Sequence, residues 1–234
     1  KLPPTAGVGI SLLRVGTSNI MGRDYENNKI GEFSNYEVQG IISFGISIGA
    51  KQAVGINIKT FYSSIAHEIG YDESGRGIGW DIGYLFQLNY NVLLALVIEN
   101  LNSDYKWNQD RYKEKLPQIL KLGLHYKLQN LSIYFQEDIV HLNRDYMNYR
   151  TRAGLEYYLS NGIYLRGGIK QKRALKPISE KYNIFNNFKP SFGIGVPINI
   201  WKKHHAYFDY SLDLGVDHEG VGHLFSFIID FKKK

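Results

Sequence analysis

The chain has 234 residues, no cysteine, a formal net charge of +6 and a mean hydropathy of −0.29. The missing cysteine excludes a disulfide framework, a zinc–thiolate site and a thiol nucleophile. The hydropathy excludes a helical membrane protein, because each helical span needs about 20 nearly uncharged residues and the longest apolar run, residues 92–98, is too short.

Taken in chain order, apolar and polar residues alternate along twelve stretches, near 6–16, 36–49, 53–62, 78–88, 92–101, 117–128, 131–140, 149–159, 163–171, 189–200, 206–214 and 223–231. Period two is a strand signature, since successive side chains leave opposite faces of a sheet. In 36–49 the apolar parity is Val38, Ile42, Phe44, Ile46 and Ile48. In 78–88 it is Ile78, Trp80, Ile82, Tyr84 and Phe86, set against Gly79, Asp81 and Gly83. In 117–128 Leu120, Leu122, Leu124 and Tyr126 interleave with Lys121, Gly123, His125 and Lys127. In 149–159 Tyr149, Thr151, Ala153, Leu155 and Tyr157 interleave with Arg150, Arg152, Gly154 and Glu156. The last three stretches carry Phe192, Ile194, Val196 and Ile198, then Phe208, Tyr210, Leu212 and Leu214, then Phe225, Phe227, Ile229 and Phe231.

The connections alternate between long and short. Short ones fall at 50–52, 89–91, 129–130, 160–162 and 201–205, with Asn161-Gly162 a tight-turn pair. Long ones fall at 17–35, 63–77, 102–116, 141–148, 172–188 and 215–222. Short turns at one rim and long loops at the other are the pattern of an antiparallel up-and-down transmembrane β-barrel, all-β, with both ends of twelve strands at the short-turn rim. The apolar parity is expected to meet lipid: Phe44, Ile46, Trp80, Ile82, Tyr84, Leu122, Leu124, Leu155, Ile194, Val196, Phe208, Tyr210, Phe227 and Ile229. The other parity is expected to face the lumen: Lys59, Asp81, Glu99, Lys121, His125, Arg150, Arg152, Glu156, Arg166, Lys170, Asp209, Asp213 and Asp230. A charge on the lipid face costs about 2–4 kcal/mol near the midplane, which fixes this register. Leu93, Ala95 and Val97 break the rule and give part of the interior an apolar lining. Tyr90, Tyr126, Tyr157, Tyr158, Tyr164, Trp201 and Tyr207 toward the short-turn rim, and Trp80 and Tyr149 toward the other, are expected in interfacial aromatic girdles.

No enzyme is indicated. The histidines show no HExxH and no paired ligand spacing, and Asp217-His218-Glu219 with His223 reads as a solvated loop before a metal site. No His-x-Ser, Ser-x-His or G-x-S-x-G element serves a barrel lipid hydrolase. No cofactor is called for. Lysine and arginine are interspersed with acids outside Lys232, Lys233 and Lys234, which argues against nucleic acid as a partner. Tyr105, Trp107, Phe185 and Phe188, in or beside long loops, are the expected partner-contact residues. A soluble ligand-binding β-barrel would carry the same alternation inverted, and the number of charges on one parity argues against it.

Several segments carry a resemblance. They are Gly9-Ile10-Ser11-Leu12-Leu13-Arg14-Val15-Gly16, Asp81-Ile82-Gly83-Tyr84-Leu85-Phe86, Val97-Ile98-Glu99-Asn100-Leu101-Asn102-Ser103, the 114–123 segment through Lys115-Leu116-Pro117, and Gly154-Leu155-Glu156-Tyr157-Tyr158. Together and in this order they resemble the PorV/PorQ outer-membrane proteins of the FadL-like barrel superfamily. The resemblance implies a bacterial outer-membrane location and a 14-stranded barrel with an N-terminal plug. The chain is therefore expected to be one transmembrane barrel domain over 1–234, without the plug and first strands. It further implies a role in type IX protein secretion, with cargo or secretion components as partners. The alternative is FadL-like transport of hydrophobic small molecules.

Overall fold

The computed structural model describes residues 5–67, 73–108, 113–143, 146–171, 188–201, 204–214 and 220–231, with residues 67, 142, 143, 146, 147, 199–201, 204, 205, 230 and 231 described by their backbone alone. All regular structure among them is strand. The elements are β1 (Ala6–Arg23), β2 (Lys29–Ser47), β3 (Gln52–His67), β4 (Glu73–Gln87), β5 (Val92–Trp107), β6 (Lys113–Lys115), β7 (Gln118–Leu128), β8 (Leu131–Asn143), β9 (Tyr146–Tyr158), β10 (Tyr164–Gln171), β11 (Phe188–Trp201), β12 (His204–Asp213) and β13 (Gly222–Phe231). They form one antiparallel up-and-down sheet in sequence order, with β6 set aside as a short partner of β5. Among the described residues no helix is long and apolar enough to cross a membrane.

Thirteen strands replace the twelve expected, and several are longer. β1 and β2 run on through the expected long loop 17–35 and leave a turn at residues 24–28. The extension shifts register between Thr17 and Ile20, where Asn19 takes φ 60°. Such a bulge breaks the alternation that period two relies on. The turn is closed by Asp24, whose carboxylate accepts from the backbone N–H of Glu26 and Asn28 and from Asn28 Nδ2. The Asn28 backbone and side-chain bonds hold its carboxyl below the ordinary aspartate value of 3.8. Likewise β5 extends to Trp107 and β6 pairs with it inside the expected loop 102–116. Asn100 and Asn102 in β5 take φ 58° and 46°, a region that asparagine tolerates better than most residues.

The described chain divides into two compact units, residues 1–85 with 96–120, and residues 86–95 with 121–234. In each, burial is inverted relative to a soluble protein. In the first, Lys59 is 5% and Asp81 4% exposed, while Ile82 is 49% and Ile42 56% exposed. In the second, Asp138 is 2% exposed, while Leu155 is 52% and Phe192 56%. A contiguous exposed apolar face of this kind needs a non-aqueous neighbour.

Candidate functional site

Residues directly opposite each other in a ladder share a face, so the register sorts the second unit. Glu156 stands opposite Arg166, Gly154 opposite Gly168 and Arg152 opposite Lys170 across β9 and β10. The same face continues as Ser191, Gly193 and Gly195 on β11 and Asp213, Ser211 and Asp209 on β12. Arg166 reaches along it in both directions. Its Nε donates to Glu156 Oε2 at 2.6 Å, and its Nη1 pairs with Asp209 on the far side of β11. The span requires Gly195: a Cβ there would stand 2.5 Å from Asp209 Oδ1 and 3.1 Å from Arg166 Nη1. Asp213 receives Lys170 and Lys189. Arg152 Nη1 lies 3.0 Å from Asp138 Oδ2, and Gln136 Nε2 donates to Asp138 Oδ1. Arg150 faces Asp138 across the ladder and is exposed.

Beside these ion pairs the face turns apolar. Leu93, Ala95, Gly123, Gly154 and Gly168 line a cavity of about 430 Å³. His125 and Tyr134 stack over it, with ring centres 4.6 Å apart and planes within 7°. His125 Nε2 is buried and makes no hydrogen bond among the described residues. The arrangement provides a greasy recess with a polar margin, the usual build of a small-molecule site. Leu93 and Ala95, the residues that break the alternation, are among those that line the recess.

In the first unit Lys59 and Asp81 make a buried pair at 2.6 Å. Asp81 also accepts from Asn57 Nδ2 and the Asn100 backbone N–H, and Lys59 Nζ donates to Asn100 Oδ1. Asn100 Nδ2 donates to the Pro117 carbonyl, so the left-handed turn of β5 is tied into the network. Glu99 lines a smaller cavity of about 300 Å³ with Leu13, Val15 and Lys59. Lys121, half-buried on β7, keeps the parity of Gly123 and His125.

On the opposite face, Ile194 stands across from Tyr210, Val196 from Phe208, and Phe208 from Phe227. Ile229 stands across from Ala206, and Leu155 from Ile133. Phe44 lies between Val8 and Ile56, and Ile46 between Ala6 and Val54. Trp80, Ile82, Leu122 and Leu124 are exposed and Tyr84 half-buried. Tyr210 Oη bonds His223 Nδ1 at 2.9 Å on this face.

Other residues sit elsewhere than expected. Tyr105 is no exposed loop anchor: it is 8% exposed on β5, packed 5.5 Å from the Phe61 ring and 6.1 Å from Trp107. Trp107 lies over Gly75 and donates from Nε1 to Glu114. Phe188 opens β11 opposite Gln171. Phe185, the Asp230 side chain and the 217–219 cluster lie outside the described residues. Glu156 pairs with Arg166 of the neighbouring strand. Tyr158, Tyr164 and Tyr207 share the charged face, since Tyr158 faces Tyr164, Tyr164 faces Gly195, and Gly195 faces Asp209, two residues along β12 from Tyr207. Their rings form a chain at 5.1 and 6.1 Å under the Arg166 guanidinium, so these three take the opposite parity to the one a girdle requires, whereas Tyr157 stands on the aliphatic parity.

No protein-family model and no curated protein matches the chain. Solved structures do. The chain is similar to the Ralstonia pickettii toluene transporter TbuX, with TM-score 0.63, 12% identity, and coverage of 91% of this chain and 74% of that one. A Pseudomonas aeruginosa FadL homologue gives TM-score 0.62 and 10% identity, covering 91% and 67%. An outer-membrane channel from Pseudomonas putida F1 gives 0.52 and 14%, covering 98% and 95%. The chain has the fold of outer-membrane β-barrel channels, FadL-like ones among them. At these identities the likeness speaks for fold and not for the PorV/PorQ branch.

Proposed function

We propose that the chain is a non-enzymatic outer-membrane channel, a single barrel domain that carries hydrophobic small molecules along its lumenal face. The observation that carries this reading is the cavity of about 430 Å³ floored by Gly123, Gly154 and Gly168. A wall meant only to be rigid has no need of an apolar recess beside its ion pairs. Support comes from the neighbours, of which TbuX is a toluene transporter. The lipid-facing and lumenal sets take their roles from this reading: the exposed aliphatic face contacts bilayer, and the paired charges keep the lumen wet. The secretion-linked reading, with cargo proteins as partners, has no comparable feature among the described residues.

Gly154→Leu tests the proposal. A Cβ at Gly154 meets nothing closer than the Gly167 carbonyl at 3.6 Å, so the backbone accepts it and the side chain enters the cavity. In vesicles holding the purified protein, toluene uptake is expected to fall roughly tenfold, because lining size governs passage. Heat-modifiable migration stays unchanged. Undiminished uptake contradicts the proposal.

A further inference from the structure

The apolar face of the first unit ends in a row of cations placed over aromatics. Arg14 on β1, Tyr36 on β2, Tyr62 on β3 and Arg76 on β4 follow one another across four strands. Arg14 Cζ lies 5.3 Å from the Tyr36 ring centre, the two tyrosine rings are 5.8 Å apart, and Arg76 Cζ lies 5.8 Å from the Tyr62 ring. Register puts the row on the lipid side: Arg14 stands opposite Val38 and Val38 opposite Tyr62, on the parity of Ile10, Ile42 and Ile58. Both arginines are exposed, and neither has a carboxylate within ion-pair distance among the described residues. Arg152 and Arg166 on the other face do.

Depth is consistent with a membrane interface. Tyr36 is twelve residues from Ile48 at the short-turn end, about 40 Å along the strand at about 3.3 Å per residue. A strand tilt of roughly 40° reduces this to about 30 Å, the thickness of the hydrocarbon layer. The row therefore stands at the headgroup level of the long-connection side, which faces outward in such barrels. A guanidinium held near a ring by cation–π attraction, with no carboxylate partner, keeps N–H groups that match phosphate oxygens in a two-pronged contact.

We infer that this row binds the phosphorylated headgroup of an outer-leaflet lipid, whose acyl chains lie on Ile10, Ile42 and Ile58 below. The inference rests on the membrane-barrel reading above. The test is native mass spectrometry of the purified chain in detergent with added diphosphorylated lipid A, its dephosphorylated form, or inorganic phosphate. The unaltered protein is expected to retain the phosphorylated lipid and neither of the other two. Arg14→Gln with Arg76→Gln is expected to lower retention about tenfold, through loss of two charge-assisted contacts, and Arg76→Gln alone to lower it less. Both variants keep heat-modifiable migration. Equal retention by protein and variants, or equal retention of the dephosphorylated lipid, overturns the inference and leaves the channel reading standing. An unaltered chain that fails to insert into vesicles overturns both.

Discussion

Asp81→Ala is expected to lower the stability of the folded chain by about 3–5 kcal/mol, the cost of leaving a buried cation without its partner. Lys59 would be that cation. The two side chains are 6% and 5% exposed and 2.6 Å apart. Asp81 also holds Asn57 and the Asn100 backbone N–H, so the substitution takes an acceptor from two further donors, while Lys59 keeps only Asn100 Oδ1. Removing both charges is different, since replacing a whole buried pair by apolar residues is often neutral. Lys59→Met with Asp81→Leu is therefore expected to recover the part due to the lone cation and not the part due to Asn57 Nδ2 and the Asn100 N–H, which stay without their acceptor. The measurement is urea unfolding in detergent, read as a shift in midpoint at constant slope. A loss below about 1 kcal/mol for the single variant, a value typical of exposed pairs, contradicts the burial described here.

Ile194→Arg is expected to cost about 2–4 kcal/mol in a bilayer, because on the proposed reading it places a cation on the lipid face near the midplane. Ile194 is seven residues from Trp201 at the short-turn end of β11, about 23 Å along the strand at about 3.3 Å per residue. Ser211→Arg is the control. Ser211 stands opposite Gly193 on the charged face, two residues from both Asp209 and Asp213. A cation there meets carboxylates and water, and the cost is expected to stay under about 1 kcal/mol. Reversible unfolding from lipid vesicles measures both. Equal costs at the two sites would remove the distinction between the faces.

The alternation made the fold readable in the middle of each strand, where one parity is apolar and the other charged. Phe192, Ile194 and Val196 against Gly193 and Gly195 leave little choice. Beyond the band both faces are polar, so the extra length of β1, β2 and β5 left no periodic trace, and the bulge after Thr17 erased what there was. Parity within a strand cannot name a partner on the next one. Arg166 could be assigned to the charged face, but its bond to Glu156 and its reach across Gly195 to Asp209 depend on register. Tyrosine suits a girdle and an interior equally, so Tyr158, Tyr164 and Tyr207 were separable from Tyr157 only by position in the ladder. Tyr105 fell in the expected long loop 102–116, whereas β5 continues through Asn100 and Asn102, at positive φ, to Trp107. The resembling segments point to an outer-membrane barrel and carry no chemistry that separates secretion from transport.

Spin labels placed singly at residues 192 to 196 test the central claim most directly, and the chain has no native cysteine to interfere. With the protein in lipid vesicles, oxygen collision rates are expected to peak at 192, 194 and 196, and rates with a water-soluble nickel chelate at 193 and 195. The opposite alternation, with the aliphatic parity open to the chelate and the glycine parity to oxygen, would contradict the account.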